Sequence, residues 1–140
     1  MSRENVEIVR RNFEAYNARD LDALRDMYDP NIIVRPTEDW PEPGPLVGRE
    51  AVMRQGEQLR ETWKSVTVEP IGDFIDVGDR VAVRHVWRGV GQGPAQLNPE
   101  FTAVYTIRMG KILSLDYFWD HAEAVEALGL SERNAHSRPS

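Results

Sequence analysis

His85 is the residue of this chain best placed to move a proton. It stands in Val81-Ala-Val-Arg-His85-Val-Trp-Arg88, an alternating run that reads as a strand. Val81, Val83, His85 and Trp87 then share one face, and Ala82, Arg84, Val86 and Arg88 the other. The first face is the more apolar and is assigned to the interior. An imidazole among aromatics has a pKa that burial can tune; a hydrogen-bonded structural histidine is the plainer account. Two carboxylates, Asp116 and Asp120, compete for the same work. A carboxyl group in an apolar site has a raised pKa and can shuttle a proton at neutral pH. Yet Asp120-His-Ala-Glu123 also spells a capping box, which explains Asp120 unaided. Asp116 can equally pair with Arg84 or Arg108 across a sheet. Alternation leaves open which face of their strand points inward. Ile112, Ser114, Asp116, Phe118 and Asp120 share one side, and Leu113, Leu115, Tyr117 and Trp119 the other.

Aromatic and apolar side chains supply the walls of a candidate pocket: Phe13, Tyr16, Met53, Trp40, Trp63, Trp87 and Trp119, with Tyr28 and Tyr105 placed to orient a substrate oxygen. Each is as readily core as pocket. Other chemistry finds little support. There is no cysteine, hence no thiol nucleophile, disulfide or zinc–thiolate site. His121, Asp120 and Glu123 lack metal-ligand spacing, and His136 lies near the end of the chain. Gly89-Val-Gly91-Gln-Gly93 lacks the strand–turn–helix setting of a phosphate loop and reads as a bend or bulge. The serines have no nucleophile-elbow context.

The elements that must position these residues follow from periodicity. Val6, Val9, Phe13 and Tyr16 recur at spacings of three and four, which predicts a helix over Glu4 to Ala18. Asp20 can cap a second helix, Leu21 to Tyr28, which Asp29-Pro30 stops. Ile32-Ile33-Val34 is β-branched and reads as a strand. Pro36, Pro41, Pro43 and Pro45 surround Trp40 in a loop expected to act as a lid. Gly48 to Trp63 returns to helical spacing. Four strand regions follow: Val66 to Val77, interrupted at Pro70-Ile71-Gly72; Arg80 to Gly89, entered by a Gly78-Asp79 turn; Phe101 to Arg108; and Ile112 to Trp119. A last helix spans Asp120 to Leu128 and ends at Gly129. Residues 1–130 form one domain, and the polar tail 131–140 is expected to be disordered. Helices followed by a strand meander indicate an α+β fold, with the helices covering one face of a strongly curved antiparallel sheet.

The chain has 140 residues, of which 41% are hydrophobic, enough for one buried core. Its formal net charge of −6 argues against a nucleic-acid partner. No apolar run is long enough to cross a bilayer, and the polar, acidic start is unlike a signal peptide. A cytoplasmic setting is the default.

Phe13-Glu-Ala-Tyr-Asn-Ala-Arg-Asp20-Leu-Asp-Ala-Leu, Gly48-Arg-Glu-Ala-Val, Gly78-Asp-Arg-Val-Ala-Val-Arg84, Gly110-Lys-Ile and Tyr117-Phe-Trp-Asp120-His-Ala-Glu-Ala, in this order and spacing, resemble the nuclear transport factor 2-like superfamily. Within it they are most similar to the SnoaL-like, polyketide cyclase-related group. The resemblance implies a cone-shaped, cystatin-like sheet around N-terminal helices, an apolar cavity, and a homodimer packed through the outer sheet face. Val86 and Val104 on that face are expected to form an apolar patch. It also nominates Asp120 as acid/base. Ketosteroid isomerases of the same superfamily place a tyrosine and two acids where this chain has Asn12, Arg35 and Tyr105. The Arg-x-Asp pair of limonene-epoxide hydrolases is missing from Phe101 to Arg108. Neither chemistry is therefore expected. The expectation is a cofactor-free enzyme acting on a small apolar molecule by acid/base steps through His85, Asp120 and Asp116. The alternatives are a binding module for such a molecule, and a dimeric interaction domain with a filled cavity.

Overall fold

Val9 and Phe13 are buried on the inner face of α1 (Ser2–Ala18), whose opposite face is charged. The computed structural model describes residues 2–37, 44–91 and 96–136. After α1 come α2 (Leu21–Met27), β1 (Tyr28–Arg35), β2 (Leu46–Val47), α3 (Arg49–Thr62) and β3 (Ser65–Val77). Then follow β4 (Arg80–Val90), β5 (Gln96–Leu97), β6 (Glu100–Arg108), β7 (Lys111–Phe118) and α4 (His121–His136). The Asp20 carboxylate accepts from the Ala23 N–H at 3.2 Å and starts α2. Gly48, at φ 97°, turns the chain into α3 and donates its N–H to the Ile32 carbonyl at 2.8 Å.

The strands form one sheet in the order β2-β1-β7-β6-β4-β3, with β5 paired to β4. The β1–β7 pair is parallel and the other pairs are antiparallel. The sheet is therefore mixed rather than wholly antiparallel, because β1 enters at the far edge and runs alongside the last strand. The register slips between Tyr28 and Ile33, which is where Pro30 is accommodated inside a strand. Accordingly Tyr28 opens β1 instead of closing α2.

The helices cover both faces, not one. α1, α2 and α3 pack on the inner face over Val81, Val83, Ala103 and Tyr105. α4 packs Ala124 and Leu128 against Ala82 and Val104 on the outer face. It runs through Gly129 to His136, so the glycine does not end it and the tail expected from 131 onward begins as helix. Val86 and Val104 are each only 4% exposed within the single chain, so they form no open apolar patch. The outer face instead carries ion pairs: Arg84–Glu100 at 2.9 Å, Arg88–Glu69 at 2.7 Å and Arg35–Asp116 at 2.9 Å.

Gly89 is neither bend nor bulge. It pairs with Val66 and Leu97 inside the sheet, on the same face as Trp87. A Cβ there would lie 2.5 Å from Trp87 Cζ3 and 3.1 Å from Trp63 Cδ2. The missing side chain is what lets the two indoles meet edge to face, with centroids 5.5 Å apart. Gly89→Ala should therefore cost about 1–3 kcal/mol by overpacking. Denaturant unfolding measures it, and an unchanged midpoint would reject this account of the glycine.

Candidate functional site

Three inner-face helices cannot fill the space beneath a bulged sheet, and a cavity of about 140 Å³ remains. Each inner element contributes: Asn12, Phe13 and Tyr16 from α1, Met53 and Arg60 from α3, His85 and Trp87 from β4, Tyr105 from β6 and Tyr117 from β7. Tyr28, Val34 and Thr37 come from β1 and the residues after it.

His85 sits where β4 faces Phe101 of β6 and Pro70 of β3, beside the register slip that bends β3. It is 4% exposed. Phe101 lies edge-on at 4.6 Å and Phe13 at 5.3 Å between ring centroids, and Tyr117 at 6.2 Å. Its Nδ1 lies 3.4 Å from the Val83 carbonyl oxygen. A carbonyl only accepts, so this contact assigns the proton to Nδ1 and leaves Nε2 with its lone pair. Burial among carbon lowers the pKa to about 4, partly opposed by the bond to Val83. The ring is neutral at neutral pH, with its basic nitrogen unprotonated.

The other polar groups are hydroxyls and amides. Tyr105 donates to Asn12 Oδ1 at 3.1 Å, and Asn12 Nδ2 faces the Tyr28 hydroxyl oxygen at 3.5 Å and Met27 Sδ at 3.9 Å. Asn12 thus spends its acceptor on Tyr105, while the Tyr28 O–H proton finds no acceptor among the described residues. The Thr37 hydroxyl is buried and likewise has no partner among them. Burial raises the pKa values of Tyr16, Tyr28, Tyr105 and Tyr117, so all four remain protonated donors. Arg60 is half-buried. Its guanidinium lies 4.7 Å over the Tyr16 ring and donates to the Tyr16 carbonyl in the last turn of α1.

Of the residues expected to form the site, Phe13, Tyr16, Tyr28, Met53, His85, Trp87 and Tyr105 line the cavity. Trp63 stands behind Trp87. Trp119 is 43% exposed and packs on Phe101 at 5.5 Å, away from the lining. Trp40 lies outside the described residues. The carboxylates are elsewhere. β6 and β7 slip register between Thr106 and Ile107, so Ile112 and Leu115 both point inward, and Tyr117 follows them. Asp116 is turned to the outer face, where it pairs with Arg35 rather than Arg84 or Arg108. Asp120 is exposed and accepts from the Ala122 N–H at 2.9 Å, which makes it the N-cap of α4. Asp120→Asn should therefore leave stability unchanged, while Asp120→Ala costs about 0.5–2 kcal/mol. Thermal melts of the two variants check this, and an Asn variant as unstable as the Ala one would reject the cap.

Thr37 and Arg60 were not singled out in the sequence; Asn12 was named only as the residue at the isomerase tyrosine position, and Tyr117 only as part of one of two possible inward faces. Asn12 sits three residues after Val9 and beside Phe13, a polar residue inside the apolar stripe of α1. Arg60 follows Met53 by seven and shares its helix face. Thr37 offers no comparable signal.

A family model for the SnoaL-like domain matches residues 9–115. The chain belongs to the SnoaL-like family. No curated protein matches it in sequence. Among solved structures, this SnoaL-like domain is similar to Bal32a, from a soil-derived mobile gene cassette. The TM-score is 0.77 at 20% identity, covering 91% of this chain and 97% of that one. It is similar to TerC, co-crystallised with polyporic acid, with a TM-score of 0.73 at 18% identity over 90% and 98% of the two chains. A candidate polyketide cyclase from Sinorhizobium meliloti gives 0.67 at 25% identity over 80% and 94%. Other similar structures are described as cystatin-like and ketosteroid isomerase-like in fold. The fold is thus the α+β class of the nuclear transport factor 2-like superfamily. Among the described residues no helix is long and apolar enough to cross a membrane.

Proposed function

We propose that this SnoaL-like domain binds a small cyclic, largely apolar carbonyl compound in its cavity and moves a proton on it with its own side chains. His85 is the proton acceptor. Its Nε2 takes a proton from the carbon beside the carbonyl; the electron pair of that C–H bond becomes a C=C bond, and the C=O π pair moves onto the oxygen to give an enolate. The Tyr28 hydroxyl, whose proton is uncommitted, donates to that oxygen. The imidazolium then returns a proton to carbon, as in an isomerisation, or the enolate carbon bonds to a second carbonyl carbon, whose π pair moves onto its oxygen and takes the imidazolium's proton, as in a cyclisation. The observation that carries this reading is an unprotonated ring nitrogen and an uncommitted hydroxyl proton on the wall of one apolar void. Asp116 and Asp120 have no part in it, because both lie outside that void.

One observation favours binding without turnover. With a pKa near 4, His85 resists becoming an imidazolium, and among the described residues no carboxylate lines the cavity to offset the charge. Incubation with a panel of cyclic enones and β-keto compounds in deuterium oxide separates the two. Incorporation of deuterium beside the carbonyl, faster than in buffer, supports the enzyme. Saturable quenching of tryptophan emission without incorporation supports the binding module. The void favours a bound molecule over a cavity filled by the protein's own side chains. A homodimer remains part of the proposal, but through the ion-paired outer face rather than an apolar patch, and sedimentation at low and high salt tests it.

A further inference from the structure

Arg60 is the single ionised side chain on the cavity wall among the described residues. It is half-buried, and no carboxylate among them lies against it. Its contacts are the Tyr16 ring and the Tyr16 carbonyl oxygen. One carbonyl occupies only part of a guanidinium that carries five N–H donors. The chain as a whole is acidic, with a formal net charge of −6, yet among the described residues no acid lines the cavity to match this cation. A partly desolvated cation facing a void is the recognition element for an anion. A second observation points the same way. The Thr37 hydroxyl on the same wall is 7% exposed by residue and has no partner among the described residues, so it is one more donor without an acceptor.

We infer that the molecule taken by this cavity carries an ionised oxygen, as a carboxylate, phenolate or stabilised enolate, on its flat apolar ring body, with Arg60 as the counter-charge. This rests on the proposed function and narrows its substrate class. The charge sits at the half-buried rim, while the ring body lies among Phe13, Trp87, Phe101 and Tyr117. The inference also bears on His85. The groups packed around its ring are Phe13, Phe101 and Tyr117, with Pro70 on the neighbouring strand, and none is charged. An anion bound in the same void would supply the missing negative charge and favour the imidazolium that proton transfer creates.

The test uses a matched pair of probes, naphthoate and methyl naphthoate, titrated into the full chain at neutral pH and followed by tryptophan emission. Wild type is expected to bind naphthoate about tenfold more tightly than the ester, the scale of one partly desolvated charge-assisted contact. Arg60→Gln should erase that preference, bringing the two affinities together, and Arg60→Lys should restore part of it. Because Arg60 also holds the end of α1, a second measurement avoids mutation: in wild type, raising the salt concentration should weaken naphthoate and leave the ester unaffected. Equal affinities in wild type, or a preference that persists in a folded Arg60→Gln variant, overturn the inference and leave the cavity reading intact. If neither probe binds, both are overturned.

Discussion

His85→Gln is expected to fold as the parent chain does and to lose about 10²–10⁴-fold of the deuterium incorporation measured with an active carbonyl substrate. Gln keeps a donor and an acceptor at the end of a side chain of similar reach, so the contact with the Val83 carbonyl and the packing against Phe13 and Phe101 can be kept. Among the described residues it removes the one group on the cavity wall that can accept a proton near neutral pH, because the tyrosines lining it hold theirs and Asp116 and Asp120 lie outside. The pH profile adds a readout that packing alone would not move. In the free protein the base is already unprotonated at pH 7 and stays so down to about 4, so kcat/KM should have its acid limb near that value instead of near the ordinary histidine range. A folded His85→Gln variant with full exchange activity would move the base elsewhere, and Asp116 and Asp120 would return only if the outer face proved to hold the substrate.

The second large effect is on stability. The folded state keeps His85 neutral with a pKa of about 4, whereas the unfolded chain takes up a proton at the ordinary 6.5. Below 6.5 the unfolded state therefore binds more protons than the native one, and stability rises with pH across that window. The contribution is fully present above 6.5, declines as pH falls, and is gone near 4. The difference between the two values corresponds to about 3 kcal/mol. Carboxylates also respond at the lower end, so the quantity to measure is the difference between wild type and His85→Gln in denaturant midpoints from pH 7 to 4. The wild-type curve should fall away from the variant's. Parallel curves would show that the imidazole is not held neutral by its surroundings.

Much of the fold was legible because its determinants are local. The alternation of β4 put His85 and Trp87 on the inner face, and the structure places both on the cavity wall. The stripe of α1 brought Phe13 and Tyr16 there. What escaped depends on relations between distant segments. The slip between β6 and β7 is invisible in either strand alone, yet it decides that Tyr117 faces inward and Asp116 outward. Gly89 looked like a bend because the indoles that need its space come from Trp87 and from Trp63 at the end of α3. Gly129 carries a helix-ending signal, yet α4 continues through it to His136, since a single glycine lowers helix propensity without forbidding the helix. Asn12 could have been found. A polar residue within an apolar stripe needs a buried partner, and Tyr105 and Tyr28 are its partners.

The parallel pairing of β1 with β7 also sets an order of assembly. Ile33 lies beside Ser114, and Arg35 beside Asp116, so the second strand of this pair is made some eighty residues after the first. During synthesis the first helices and β1 leave the ribosome with no neighbour for most of β1's backbone, since β2 covers only Ile33 and Val34. The β3–β4–β6 meander can form meanwhile from contacts between successive segments. β1 can complete its ladder only once β7 has emerged, and the cavity wall that Tyr28 belongs to is complete only then. Chains stalled or truncated before β7 would therefore present an unsatisfied, β-branched strand to other chains, an edge of the kind that templates aggregation.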